Sequence, residues 1–134
     1  MEINVSTEQG RVPVTVLHVD GDIDSSTYDA FLSKVRGLIK EGTRYLVIDL
    51  ARVPYVSSAG LRAIYTVFND LRAVHPEENL SEEQMQKAAR AGTYKSPHLK
   101  LVHLTENVHR VFQMGGFDNY IGTFSDLKEA IASF

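Results

Sequence analysis

Apolar residues recur at every second position through Val12, Val14 and Val16, which predicts a strand over 12–19. A shorter run, Ile3 to Thr7, precedes it, and Glu8-Gln9-Gly10-Arg11 reads as the turn of a hairpin. Pro13 cannot donate to a sheet ladder, so it is expected at an edge or a strand end. The period then changes. Phe31, Val35, Leu38 and Ile39 fall on one face of a helix capped by Ser25 or Ser26 and running to about Lys40. Gly42 suits the left-handed position beyond its end. Leu46, Val47, Ile48 and Leu50 make a compact apolar run, predicting a buried strand over 45–50. Leu61, Ile64, Phe68 and Leu71 return to helical spacing, within a helix from Ser58 to about Val74. A strand over 99–104 follows, then a helix capped by Thr105 that carries Val108, Val111 and Phe112 and closes at Gly115-Gly116. A short strand over 120–124 and a Ser125-capped helix with Leu127, Ala130, Ile131 and Phe134 complete the chain.

The region His75 to Pro97 interrupts this rhythm. It is polar, and its one helical signal is the capping-box pattern Ser81-Glu82-Glu83-Gln84, starting a helix that ends at Gly92. Its apolar content is thin, so residues 75–97 are expected to form a surface insertion, either inert decoration or a partner-specific contact, that a short Gly/Ser turn could replace. Elsewhere, strands and helices alternate after the opening hairpin. That order predicts an α/β fold with a mixed, largely parallel sheet and helices packed on it, as one domain over 1–134. Sites in such folds gather at the carboxyl ends of the strands. Asp20–Asp24 and Val53–Ser58 both follow strands and open helices, so they are expected at that end together.

Composition narrows the function. The 134 residues are 43% hydrophobic and 23% charged, as expected of a globular domain large enough to bury its own core. There is no cysteine, hence no disulfide framework, thiolate metal site or cysteine nucleophile. The net charge of −3 comes without a basic stripe, which argues against direct nucleic-acid binding. Met1–Val5 lacks the basic and apolar regions of a signal peptide, and no apolar run approaches the ~18 residues of a membrane span. A cytoplasmic location is expected.

Several chemistries fail on their missing parts. Asp20, Asp22 and Asp24 have the spacing of calcium-loop ligands, but Ser25 stands where glycine is required and Phe31 where glutamate is required. No phosphate-binding Gly-x4-Gly-Lys-Ser/Thr occurs. The five histidines include no His-x3-His pair, and His103 and His109 read as ordinary strand and helix residues, so no metal or cofactor is expected. Val56-Ser57-Ser58-Ala59-Gly60 is half of a nucleophile elbow, but the first glycine is missing and no oxyanion loop is visible. The chain reads as a non-enzyme.

What remains is a pair of hydroxyls at a helix start. Ser57 is placed to cap the helix by accepting a first-turn N–H. Ser58 is then a second hydroxyl at the same terminus, where the helix dipole favours negative charge, with only Ala59 and Gly60 beside it. Asp49-Leu50, Tyr55-Val56, Ser58, Gly60 and Leu61 fall in register with the signature of the STAS domain family, and within it the chain resembles the anti-sigma factor antagonists. Ser57 stands where that family often has Asp, and Ala59 where it often has Ser or Thr. Gly21-Asp22-Ile23-Asp24 matches the stretch that ends the family's second strand. The resemblance covers about 10–74 and 98–134.

The resemblance implies a STAS-type fold and a partner-switching role. Ser58 takes the place of the serine that a partner kinase phosphorylates, with Ser57 as second candidate. Asp22, Asp24, Ser57, Ser58, Ala59, Gly60 and Arg62 would form the partner surface. The implied partners are an anti-sigma factor that is also a serine kinase, and a serine phosphatase. The alternative is a STAS module that binds a small ligand, a nucleotide or a transport complex, with both serines serving only as caps.

Overall fold

The computed structural model describes residues 1–134. Strands β1 (Glu2–Gln9) and β2 (Pro13–Asp20) pair antiparallel, with Glu2 opposite Asp20 and Gln9 opposite Pro13. Helix α1 (Tyr28–Lys40), strand β3 (Leu46–Arg52), helix α2 (Ser58–Ala73), helix α3 (Glu82–Arg90) and strand β4 (Leu99–Val102) follow. Helix α4 (Glu106–Met114), a single 3-10 turn (Phe117–Asn119), strand β5 (Gly122–Phe124) and helix α5 (Leu127–Ala132) end the chain. The five strands lie side by side in chain order, and every pairing after the hairpin is parallel. This is the mixed, largely parallel sheet that the alternating pattern predicts.

The period-2 alternation of the strands sorts the core. Leu17, Leu46, Ile48, Leu50, Leu99 and Leu101 face one way and pack with Phe31 and Val35 of α1, Ile64, Phe68 and Leu71 of α2, and Phe112 of α4. Val14, Val16, Val47 and Val102 face the other way and meet Ala130 of α5. Most helical mass therefore sits on one face. Beyond the short α5, the second face carries polar side chains at the carboxyl ends of the strands.

Element ends depart from expectation where side chains compete with the backbone. Helix α1 starts at Tyr28, not after Ser25 or Ser26, because Asp24 draws those residues into a turn of their own. Strand β4 stops at Val102, not Leu104, because His103 adopts φ +60°, a left-handed conformation that no strand accommodates. Strand β5 begins at Gly122, not Tyr120, since residues 117–119 wind into the 3-10 turn. Asp126, not Ser125, caps α5.

The region 75–97 is less peripheral than its polarity suggests. Its capping box forms as expected, with Ser81 accepting from the Gln84 N–H and the Gln84 side chain returning the bond. Met85 of α3 is fully buried in the main core, and Ala89 beside it is buried as well. Arg72 of α2 donates to Glu78 at 3.0 Å and to the Leu80 carbonyl at 2.8 Å, and Tyr94 also bonds Glu78. The segment is pinned to the domain at several points, so its wholesale replacement would open the core.

Candidate functional site

Two loops at the carboxyl ends of β2 and β3 are laced together by backbone. The Gly21 N–H donates to the Arg52 carbonyl, Ile23 N–H to Tyr55 and Ser57 N–H to Ile23, at 3.0, 3.1 and 3.0 Å. Ile23 and Val56 form an isolated parallel bridge, and both are buried. The sheet pairing of β2 with β3 is in effect carried one step past the strand ends, to Ser57 just ahead of helix α2.

Gly60 is what lets the helix come so close. A Cβ at this position would lie 2.1 Å from the Ile23 carbonyl oxygen and 2.8 Å from a Val56 methyl, far inside contact distance. The same carbonyl oxygen holds the Ser57 N–H, so the loop, the cap and the first helical turn share one anchor. Nothing in the sequence alone singles out Ile23 as that anchor. The signal was the spacing from Gly60 back to Ser57, which reveals a close approach only when the opposing strand is known.

Ser57 and Ser58 have different jobs. Ser57 sits in the N-cap position with extended backbone, and its Oγ accepts from the Gly60 N–H at 3.2 Å. Its hydroxyl is spent on the helix. Ser58, the first helical residue, is exposed and its hydroxyl makes no hydrogen bond within the protein. No acidic side chain stands in the first turn, so the partial positive charge of the helix terminus is uncompensated there. Arg62 is exposed four residues on, on the same helical face. Ala59 is half-buried, and Tyr55, at 47% exposure, supplies an aromatic rim.

The acidic loop contributes charge. Asp22 is exposed and its carbonyl accepts from Thr27 Oγ1 at 2.9 Å. The Asp24 carboxylate accepts from the Ser26 hydroxyl at 2.6 Å, the Ser26 N–H at 2.9 Å and the Thr27 N–H at 3.2 Å. The Ser26 hydroxyl above all, aided by these N–H groups, outweighs desolvation and holds Asp24 below the usual carboxylate range. Asp24 is thus a fixed negative charge in a turn that it also builds. The structure brings the Asp22–Asp24 and Ser57–Gly60 segments together by the backbone bonds above.

On the other face, Asp49 accepts from two histidines on neighbouring strands: His18 Nδ1 at 2.8 Å on Oδ2, and His103 Nδ1 at 3.0 Å on Oδ1. The bond to His103 accompanies that residue's left-handed backbone. Burial pushes the Asp49 carboxyl up, but the Ala51 N–H and the two imidazoles outweigh it, and the net shift is downward from 3.8. Its contribution is therefore present above the unfolded value and is lost as pH falls through the lower folded one. Asp49→Asn is expected to cost about 1–3 kcal/mol at neutral pH, the usual range for stripping charged hydrogen bonds from a half-buried site. Urea melts of both proteins should show the difference shrinking below about pH 4; a gap that stays constant to pH 2 would deny Asp49 this role.

A profile of the STAS domain matches residues 5–77, more than half of the chain. The chain belongs to the STAS domain family. Its STAS match spans both laced loops and all of α2. BtrV of Bordetella bronchiseptica, described as an anti-sigma factor antagonist, is 27% identical over 116 residues, covering 87% of this chain and 82% of the relative. An anti-sigma factor antagonist from Mycobacterium paratuberculosis shares the STAS architecture with a TM-score of 0.66 and 21% identity, over 98% of this chain and 93% of that one. The Bacillus cell fate determinant SpoIIAA in its phosphorylated form has a TM-score of 0.62 and 15% identity, over 97% and 96% of the two chains. These structures share this chain's fold. No helix here is long and apolar enough to cross a membrane.

Proposed function

We propose that this STAS domain is an anti-sigma factor antagonist that works by partner switching at Ser58. In its unmodified form it binds an anti-sigma factor that is also a serine kinase, and a sigma factor is released. The kinase transfers the γ-phosphoryl group of ATP to Ser58 Oγ; the hydroxyl proton is lost, ADP leaves, and the complex dissociates. A serine phosphatase hydrolyses the phosphate and resets the surface. The chain is the substrate of this chemistry, not its catalyst, and acts in the cytoplasm.

The observation that carries this reading is the division of labour between the two serines. Ser57 is committed to Gly60, whereas Ser58 offers an exposed hydroxyl without an intramolecular partner on a rigid helix start. The names of BtrV and the Mycobacterium protein support the antagonist role, and SpoIIAA supports phosphorylation within this fold. Arg52 and Arg62 bound a tryptic peptide, Val53–Arg62, that holds both serines. After incubation with the kinase partner and ATP, mass spectrometry should find one phosphate on this peptide, at Ser58. Phosphate at Ser57 would move the acceptor by one residue. No phosphate on the peptide, in cells or with the kinase, would remove the switch.

A further inference from the structure

The two ends of the 75–97 segment meet in a polar cluster that the switch does not use. His75, just past α2, is 5% exposed, and His98, just before β4, is 3% exposed. Their rings stack with centroids 3.4 Å apart and planes 9° apart. His75 Nδ1 lies 2.8 Å from Glu77 Oε1, and His98 Nε2 lies 4.0 Å from the same oxygen. One nitrogen or oxygen from each of His75, Glu77 and His98 falls within 4.8 Å of the others.

The proton inventory of this cluster is incomplete. His75 Nε2 lies 2.8 Å from the Arg44 carbonyl, an acceptor only, so this nitrogen carries a proton. In the neutral ring, Nδ1 then presents a lone pair to the Glu77 carboxylate, which is also an acceptor. At His98, Nδ1 and the neighbouring Glu78 Oε2 are 3.2 Å apart, both buried, and neither makes a hydrogen bond. Orphaned polar atoms of this kind are rare in folded proteins and call for a cause.

We propose that His75 Nδ1, His98 Nε2 and Glu77 Oε1 bind one divalent transition-metal ion of the Zn²⁺ class, with the fourth position open to water. Two imidazole nitrogens and one carboxylate suit such an ion; Mg²⁺ and Ca²⁺ prefer all-oxygen shells. Ligands ~2.0–2.1 Å from a tetrahedral ion stand about 3.3 Å from one another. The 2.8 Å contact must widen a little and the 4.0 Å contact must close. Glu77, at 63% side-chain exposure, is free to make that adjustment. His98 must tilt out of the stack so that the two lone pairs converge. With Nε2 on the metal, its proton resides on Nδ1, where the tilt can align it with Glu78 Oε2. The Arg44 carbonyl already does the same for His75. An oxygen on the far nitrogen of each imidazole is how metal-binding histidines are usually held.

The ion would clip together residues that flank the inserted segment, and by binding only the folded chain it would raise stability by mass action. The test uses the full chain, stripped with a chelator and titrated with Zn²⁺. Calorimetry should give one ion per chain, and the melting temperature should rise by several degrees in micromolar Zn²⁺ but not in Mg²⁺. Glu77→Gln, a change at an exposed side chain, should melt within about two degrees of the parent without metal and bind Zn²⁺ at least tenfold more weakly. His103→Gln, at the separate Asp49 cluster, should keep the full response. Absence of Zn²⁺ binding by the parent, an undiminished response in Glu77→Gln, or loss of the response in His103→Gln would each overturn the assignment.

Discussion

A Gly60→Ala chain is expected to lose about 3 kcal/mol of stability, the upper end of the ordinary overpacking range or beyond it. The usual relief is a side chain that swings aside. Here the obstacle is the Ile23 backbone carbonyl, 2.1 Å from the added methyl, and that carbonyl is held in place by the Ser57 N–H. Moving it breaks the bridge between the two loops; moving α2 instead lifts Ile64 and Phe68 from the core. Either way the frame around Ser58 is displaced. Urea unfolding should show the loss, and kinase affinity should fall with it. By contrast, Ala59→Ser adds an oxygen at a half-buried neighbouring position and should change stability by less than ~0.5 kcal/mol, as surface substitutions usually do. A Gly60→Ala protein as stable as the parent would mean that the loops are not locked as described.

The larger effect is expected at the partner surface. Phosphate on Ser58 adds a charge of about −1.5 to −2. The helix terminus favours it by ~0.3–1 kcal/mol, and Arg62 on the same face adds to that, while Asp22 and Asp24 oppose it. The fold should therefore barely respond. A partner that closes over Ser58, Ala59 and Gly60 meets a different situation, because an unpaired charge taken out of water costs several kcal/mol and each 1.4 kcal/mol is tenfold in affinity. Ser58→Asp should bind the kinase at least tenfold more weakly than the parent, with a melting temperature within a few degrees of it. Ser58→Ala should bind as the parent does and accept no phosphate. Titrations of both variants with purified kinase decide the matter: equal affinities would sink the switch, and a collapsed melting curve for Ser58→Asp would show that it acts through the fold.

Helix starts were legible where one residue had no rival. Ser81 and Thr105 stand alone ahead of their helices and Ser57 directly precedes the first helical residue, and each caps one. Ser25, Ser26 and Thr27 offer three hydroxyls in a row, and an aspartate just ahead decided among them. The strands were legible from period and length, but His103 was not, because its left-handed backbone accompanies a bond to Asp49 more than fifty residues earlier. Likewise Met85 lies in a segment whose polarity reads as surface. One buried residue per helical turn is enough to dock a short helix, yet too few to stand out against glutamates and lysines. The serine pair was readable because its chemistry is local. The clamp from Ile23 was not, since it depends on two loops meeting.

The strands stand in chain order, but their pairings do not close over equal spans. Thr15 meets Leu46 and Lys100 meets Gly122, whereas Leu46 must find Leu99 across the whole inserted segment. Closing the longest loop carries the largest chain-entropy cost, and non-local pairings of this kind set the pace of folding. The seam between β3 and β4 is thus expected to close last, after the half of the chain that holds Ser58. A ribosome-bound chain truncated before β4 would already carry both laced loops. The surface around Ser58 would then be in place before the rest of the sheet.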